Sequence, residues 1–161
     1  MALKKALVIG TSGQIQQLQP GDSIAAPTTI QQTNGEGSAA LVAGTPVYHS
    51  AADTVKRAQA NASGTSRVSM ITVDASIASS ASGNFVTAGN VLVATVAQWA
   101  AVGDVSMSAG LTFGQIYFLD PANPGKLTAT PPTATGQYLV EVGEGISTTE
   151  LLFDPKAPIQ L

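Results

Sequence analysis

The sequence predicts an all-β fold, a compact sandwich or barrel of many short strands with one short helix and an extended N-terminal arm. From residue 39 onward, apolar segments of four to eight residues recur, each bounded by Gly, Pro, Asn, Asp or Ser, which is typical of a sandwich or barrel. One segment has helical periodicity instead. Residues 1–38 contain few side chains that can form a core. We therefore divide the 161-residue chain into an arm, 1–38, and a β-rich domain, 39–161.

The arm contains two short apolar segments separated by residues that form turns. The first, LVI at 7–9, precedes the turn signal GTSG, and in the second apolar residues alternate with glutamines before the turn at 20–22. A further turn is predicted at 34–38, where the sequence is NGEGS. Because they are the arm's apolar side chains, we predict five residues as its partner-binding set: Leu7, Val8, Ile9, Ile15 and Leu18.

Within the domain, the strands follow from the apolar segments and their flanking turns. The strands are predicted near 40–42, 46–50, 55–58, 67–73, 84–86, 91–94, 116–119, 127–128, 137–142 and 151–153. The small-residue stretch ASIASSASG at 75–83 is predicted to be a loop.

The predicted helix spans 96–102. Thr95 is a good N-cap, and Gly103 fits the position just after the last helical residue. Val96, Trp99 and Val102 fall on one face, so Trp99 is expected to anchor the helix in the core.

The low content of charged residues limits the kinds of partner that the protein is expected to bind. Charged residues make up 11% of the chain and the net charge is −3. Binding of a phosphate backbone needs clustered Lys and Arg, and the basic residues here are scattered, so nucleic-acid binding is not expected. No apolar run is long enough to span a membrane. The low charge fits either a weakly charged free surface or a surface covered by partners, because the cores of interfaces are depleted of charge.

The sequence offers no recognisable catalytic or cofactor-binding constellation. LVIGTSGQI resembles the opening of a dinucleotide site, but Gln16 replaces the third glycine and Pro20 prevents a following helix. His49 is the single histidine, and its neighbour Ser50 is expected on the opposite face of a strand. Glu141 and Glu144 are better explained as residues at a strand end than as an acid–base pair. We expect no enzymatic activity, no cofactor, no metal and no small-molecule substrate.

Several stretches resemble a family of structural proteins of tailed bacteriophages. They are LVIGTSGQIQQLQPGDSI at 7–24, GTPVYHSAADTVKRAQANASGTSRV at 44–68, VLVATVAQWAAV at 91–102 and the segment 110–155. The family pattern G-L-x-x-G-x-x-Y-x-L, G-x-L-T, P-P-T-x-x-G-Q-Y, V-G and T-E-L matches the following residues of this sequence: Gly110, Leu111, Gly114, Tyr117, Leu119, Gly125, Leu127, Thr128, Pro131, Pro132, Thr133, Gly136, Gln137, Tyr138, Val142, Gly143, Thr149, Glu150 and Leu151. Phe113 stands where the family usually has proline.

The resemblance implies a virion protein made in the host cytoplasm. Its leading interpretation is a capsid decoration (cement) protein on the surface of the phage head, bound to the major capsid protein and to itself as a homotrimer. Similar modules occur in tail-fibre and baseplate proteins that bind a host surface, so this alternative stays open.

Overall fold

The computed structural model describes residues 29–161 together with two strands of the preceding segment. In this part of the chain, many short strands and a single α-helix make up the regular structure, so the predicted all-β class is confirmed. The strands are β1 (Leu7–Ile9), β2 (Ile15–Gln17), β3 (Ile30–Asn34), β4 (Leu41–Val42), β5 (Pro46–Ala51), β6 (Thr54–Arg57), β7 (Met70–Thr72), β8 (Ser76–Ile77), β9 (Ser82–Val86), β10 (Asn90–Val93), β11 (Ile116–Leu119), β12 (Leu127–Thr128), β13 (Tyr138–Leu139), β14 (Glu141–Gly145), β15 (Glu150–Phe153) and β16 (Ile159–Gln160).

A closed five-stranded barrel forms the first half of the domain. Its strand order is β3-β6-β5-β7-β9, with β3 and β6 parallel and the other pairs antiparallel. The short ladder between β4 and β8 contributes Leu41 and Ile77 to the same core. The members of this core are Leu41, Val47, Val55, Met70, Ile77 and Phe85.

A five-stranded antiparallel sheet forms the second half, in the order β10-β15-β14-β11-β12. Its inner face, the helix and one outer side of the barrel share a second and larger apolar core, which contains Ile71 and Val86 from the barrel and Tyr117 and Phe153 from the sheet. The two halves therefore pack on a common core, as expected for sheets that are apolar on one face.

The boundary at residue 38 predicted from the sequence does not agree with this architecture. Residues 30–34 form β3, which pairs with β9 on one side and β6 on the other and thereby closes the barrel. Asn34 is fully buried. The predicted turn that follows is held in place by Glu36, whose carboxylate accepts the backbone N–H of Arg57 at 2.9 Å. Residues 30–38 thus belong to the barrel.

The helix has the bounds that the sequence predicts, and only the cap at its end differs from the prediction. Helix α1 spans Val96–Val102, and Thr95 and Gln98 form a reciprocal capping box. Gly103 is the C-cap itself and has an ordinary φ of −96°. The prediction placed it one position later, where a left-handed conformation is usual. Its need for glycine comes from packing, because an added Cβ would lie 2.4 Å from Met107 Cβ.

Three strands of the domain lie where none was predicted: β3, β8 and β16. The predicted loop at 75–83 contains β8, and β9 begins within it at Ser82. Ile77 is buried in the barrel core, so this small-residue stretch is partly structural.

Candidate partner-binding surfaces

The two apolar segments of the arm form a hairpin of strands. Leu7 pairs with Gln17, Val8 with Gln16 and Ile9 with Ile15, in antiparallel register. Leu18, the remaining predicted binding residue, lies outside the described residues. Within the described part of the chain, β1 and β2 pair only with each other. Each strand therefore keeps one edge on which a further strand can pair.

The outer face of the five-stranded sheet is a second exposed surface. The register places Val91, Leu152, Glu144 and Ile116 in one row across four strands. Val93 and Glu150 form the adjacent row. This face thus carries both apolar and acidic side chains, and the exposed valines and leucine lie toward its β10 side.

Strand β10 gives this face its most exposed apolar residues. Val93 is 63% exposed and Val91 39%, whereas Leu92 between them is 2% exposed. On the neighbouring strand Leu152 is 36% exposed. Strand β10 lies at the edge of the sheet, with β15 as its one partner among the described strands.

Two more apolar side chains, neither of them on a strand of this sheet, are highly exposed. Val105, in a 3-10 turn at Val105–Met107, is 92% exposed, and Phe113 is 79% exposed. Phe113 is the residue that departs from the family pattern. Sequence reasoning did not single out Val91, Val93 or Val105. Residues 91–94 are all apolar, and only the fold shows which of them face the core.

The structure does not assemble the residues tested for nucleophilic chemistry. His49 and Ser50 are both exposed on β5. The Ser50 hydroxyl lies 3.4 Å from the carbonyl oxygen of Thr54, to which it donates. Asp53 lies in the turn between β5 and β6 with a φ of 51°, a conformation that Asp tolerates in tight turns.

Four other carboxylates lie on the outer face of the sheet, in a turn or in an ion pair. Glu141 lies opposite Phe118 and Glu144 opposite Ile116 on β11, so the two sit on the outer face of the sheet. Asp120 accepts hydrogen bonds from the backbone N–H groups of Ala122 at 2.6 Å and Asn123 at 3.2 Å, which is a turn role. Asp154 pairs with Lys156 in an exposed ion pair.

The surroundings of Asp104 shift the pKa of its carboxyl group from the ordinary value. It caps the 3-10 turn by accepting the Ser106 backbone N–H at 2.9 Å, and it accepts the Thr128 hydroxyl at 2.7 Å. Partial burial by itself raises the pKa of Asp104, but these hydrogen bonds outweigh it and hold the pKa below the ordinary value.

In the described part of the chain, no group of three or more His, Cys, Asp or Glu side chains is arranged to hold a metal ion. No helix among the described residues is long and apolar enough to cross a membrane.

A comparison with protein-family models gives no match, and a comparison with curated proteins gives none either.

Proposed function

We propose that this chain is a non-enzymatic structural protein of a tailed-phage virion, and specifically a capsid decoration protein that binds the outside of the head and stabilises contacts between capsomers. The observation that carries the proposal is the position of the residues that resemble the phage family. They coincide with the turns and the core of the second half of the domain.

Four glycines of the resemblance occupy backbone conformations that favour glycine. Gly110, Gly114, Gly125 and Gly136 have φ values of 88°, 75°, 73° and 87°, in the left-handed region. Six apolar members of the pattern are core residues with exposures of 2% or less: Leu111, Tyr117, Leu119, Leu127, Val142 and Leu151. The Tyr117 hydroxyl accepts the Thr112 backbone N–H at 2.8 Å. A shared pattern of this kind specifies a module, which favours a common architectural role over a common reaction.

The arm hairpin supplies the proposed means of attachment. Its strands carry the arm's apolar residues, and each keeps an unpaired edge among the described residues. Strand addition gives affinity through backbone hydrogen bonds, and side-chain pockets give specificity. The major capsid protein is the proposed acceptor of this hairpin.

The force behind attachment follows from the composition. With charged residues at 11% of the chain, long-range ion pairing is a poor candidate, since salt screens exposed charges beyond about 8–10 Å. Apolar contact and backbone pairing are insensitive to such screening. Attachment is therefore expected to survive roughly molar salt.

The test uses heads of the encoding phage that were assembled without this protein. Full-length protein and a variant lacking residues 1–20 are each mixed with heads at low salt and at about 1 M salt, and the heads are pelleted. Full-length protein is expected in the pellet under both conditions and the truncated variant in the supernatant. The truncated variant retains both cores, because the first buried residue described is Gln32, and its circular dichroism spectrum verifies folding.

The matched control is His49→Ala, which alters an exposed side chain outside the arm and should pellet like the wild type. Release of full-length protein by salt would contradict the apolar mode of attachment. Binding to tails and not to heads would contradict decoration and favour the tail-fibre or baseplate alternative.

A further inference from the structure

We propose that β10 is a self-association edge, pairing antiparallel with β10 of a second copy about a two-fold axis. The two five-stranded sheets would then join into one continuous sheet. This inference concerns the contact between copies and does not depend on where the protein sits on the virion.

No described residue pairs with the backbone hydrogen-bonding groups on the outer side of β10. The Ala94 N–H donates to the Thr149 carbonyl at 2.9 Å, one position beyond the registered pair Val93 and Glu150. Hydrogen-bonding direction alternates along an antiparallel strand. Leu92 and Ala94 therefore direct their backbone groups to β15, whereas Val91 and Val93 direct theirs to the open edge.

This edge lacks most of the usual protections against pairing. Natural edge strands are blunted by short length, charged residues, proline or bulges, and of these β10 has only its length of four residues. The sequence of β10 is NVLV, and its register with β15 is continuous. The same strand carries Val93, 63% exposed. An unprotected backbone edge and an exposed apolar row thus coincide on one strand, and a second strand would cover both.

The opposite edge of the sheet is not equally available. Leu127 of β12 is fully buried and forms a parallel bridge with Gly103 at the end of α1. Thr128 is 8% exposed and hydrogen-bonds to Asp104. Pairing of β10 with β12 of another copy is therefore disfavoured, and between the five-stranded sheets of two copies the edge left to pair with β10 is β10 itself.

With Ala94 counted in the strand, because it continues the pairing with β15, a two-fold axis at Leu92 gives the longest overlap with side chains on matching faces. Val91 of one copy then lies opposite Val93 of the other, and both valines of each copy meet on the outer face beside Leu152. Strands lie about 4.8 Å apart, so the two Glu150 side chains, one beside each Val93, are separated by three strand spacings, about 14 Å. That exceeds the screening length of about 8 Å in physiological salt, so charge does not oppose the pairing of this acidic chain.

This contact generates a dimer, in contrast to the homotrimer expected from the resemblance. A two-fold contact uses the same surface on both copies and closes on itself, so this edge alone cannot build a ring of three.

The test uses the absence of cysteine from the sequence. Val91→Cys and Val93→Cys proteins, differing in an affinity tag, are mixed and oxidised gently. The register places positions 91 and 93 of different copies about 5.5 Å apart, within disulfide reach, while identical positions lie roughly 7–8 Å apart on the diagonal. A mixed disulfide is expected, with several-fold less product from either variant alone. Val105→Cys, on an exposed residue elsewhere, measures random collision.

A second variant tests the association without cross-linking. Val93→Lys places a charge on the edge beside Glu150 of its own copy and should halve the mass measured by sedimentation equilibrium. Val105→Lys, the matched control, should leave that mass unchanged. An unchanged mass for Val93→Lys would overturn the proposal. So would a wild-type trimer with no mixed disulfide, or a cross-link of Val93→Cys to Val8→Cys at the expense of Val91→Cys, which would identify the arm as the occupant of this edge.

Discussion

The indole N–H of Trp99 donates a 3.0 Å hydrogen bond to the carbonyl oxygen of Thr149, which also accepts the backbone N–H of Ala94 at 2.9 Å. This carbonyl thus connects the end of β10, the start of β15 and helix α1, which follows β10 in the chain. Trp99 is fully buried in the larger core. The helix is therefore held by both a polar and an apolar contact of a single side chain.

Trp99→Phe is expected to lower the free energy of unfolding by about 1–3 kcal/mol, through the lost hydrogen bond and the smaller ring. Trp99→Ala should cost about 3–5 kcal/mol. Urea denaturation followed by far-UV circular dichroism measures both. Phe113→Ala, on a side chain that is 79% exposed, is the control and should change stability by less than about 0.5 kcal/mol. Equal stability of Trp99→Phe and the wild type would contradict the anchoring role.

The elements predicted correctly from sequence are those whose own residues determine them. Helix α1 has its capping box and apolar face within 95–102, and β5, β11 and β15 are apolar segments between turns. Strand β3 was missed because its inward residues are Gln32 and Asn34. Its strand conformation depends on pairing with β6 and β9, which are distant in sequence, and no local pattern reports such pairing.

The candidate surfaces were predictable to a smaller degree. The arm's apolar segments were predicted as its partner-binding residues, and β1 and β2 lie there, although their pairing with each other was not foreseen. The exposed apolar row on β10 required the fold, because Val91 and Leu92 are equally apolar and only packing against the sheet's inner core decides which of them is buried.

At two glycines, replacement by Ala and replacement by Asn are expected to have opposite orders of stability. Gly103 has an ordinary φ but no room for a side chain beside Met107, whereas Gly114 has a φ of 75° and open space around it. Gly103→Ala should cost about 2–3 kcal/mol through overpacking, and Gly103→Asn more. Gly114→Ala should cost about 1–2 kcal/mol through backbone strain, and Gly114→Asn less, since Asn tolerates the left-handed region.

Urea denaturation of these four variants measures whether the Ala or the Asn variant is more stable at each glycine. If Asn were better tolerated than Ala at Gly103, or worse tolerated than Ala at Gly114, the assigned causes would be wrong. The comparison separates steric crowding from backbone strain because each position has one of the two and not the other.

Asp104 is expected to make stability depend on pH in the acid range. Its pKa is lower in the folded state than the ordinary 3.8, so folding favours the ionised carboxylate. This contribution is complete above the unfolded pKa and is lost as the pH falls through the folded pKa. Asp104→Asn should therefore be less stable than the wild type by about 0.5–2 kcal/mol at pH 7, and the difference should shrink below about pH 4.

Urea denaturation of both proteins at several pH values tests this dependence. Ser108→Ala, an exposed neighbour on the same turn, should run parallel to the wild type at every pH. A difference between Asp104→Asn and the wild type that stayed constant down to pH 3 would show that Asp104 acts by shape alone and not through its charge.

The position of β3 makes a sharp prediction about where the folded domain begins. A variant that starts at Thr29 keeps β3, Asn34 and Glu36, and it should unfold cooperatively. A variant that starts at Gly35 lacks β3, which leaves β6 and β9 each without a partner on one side. It also lacks the Asn34 amide, which donates to the carbonyls of Ala39 and Ile77 at 3.0 Å each. Loss of barrel closure exposes both strand edges and the barrel core.

Trp99 fluorescence and near-UV circular dichroism during urea denaturation report on the two truncations. The longer variant should show a single sigmoidal transition, and the shorter one should lose this transition or aggregate. Asn34→Ala in the full chain is the intermediate case, destabilised by about 1–3 kcal/mol because the partners of a buried amide are left unpaired. If both truncations unfolded with the same midpoint, the boundary at residue 38 predicted from sequence would be correct and β3 would be dispensable for the barrel.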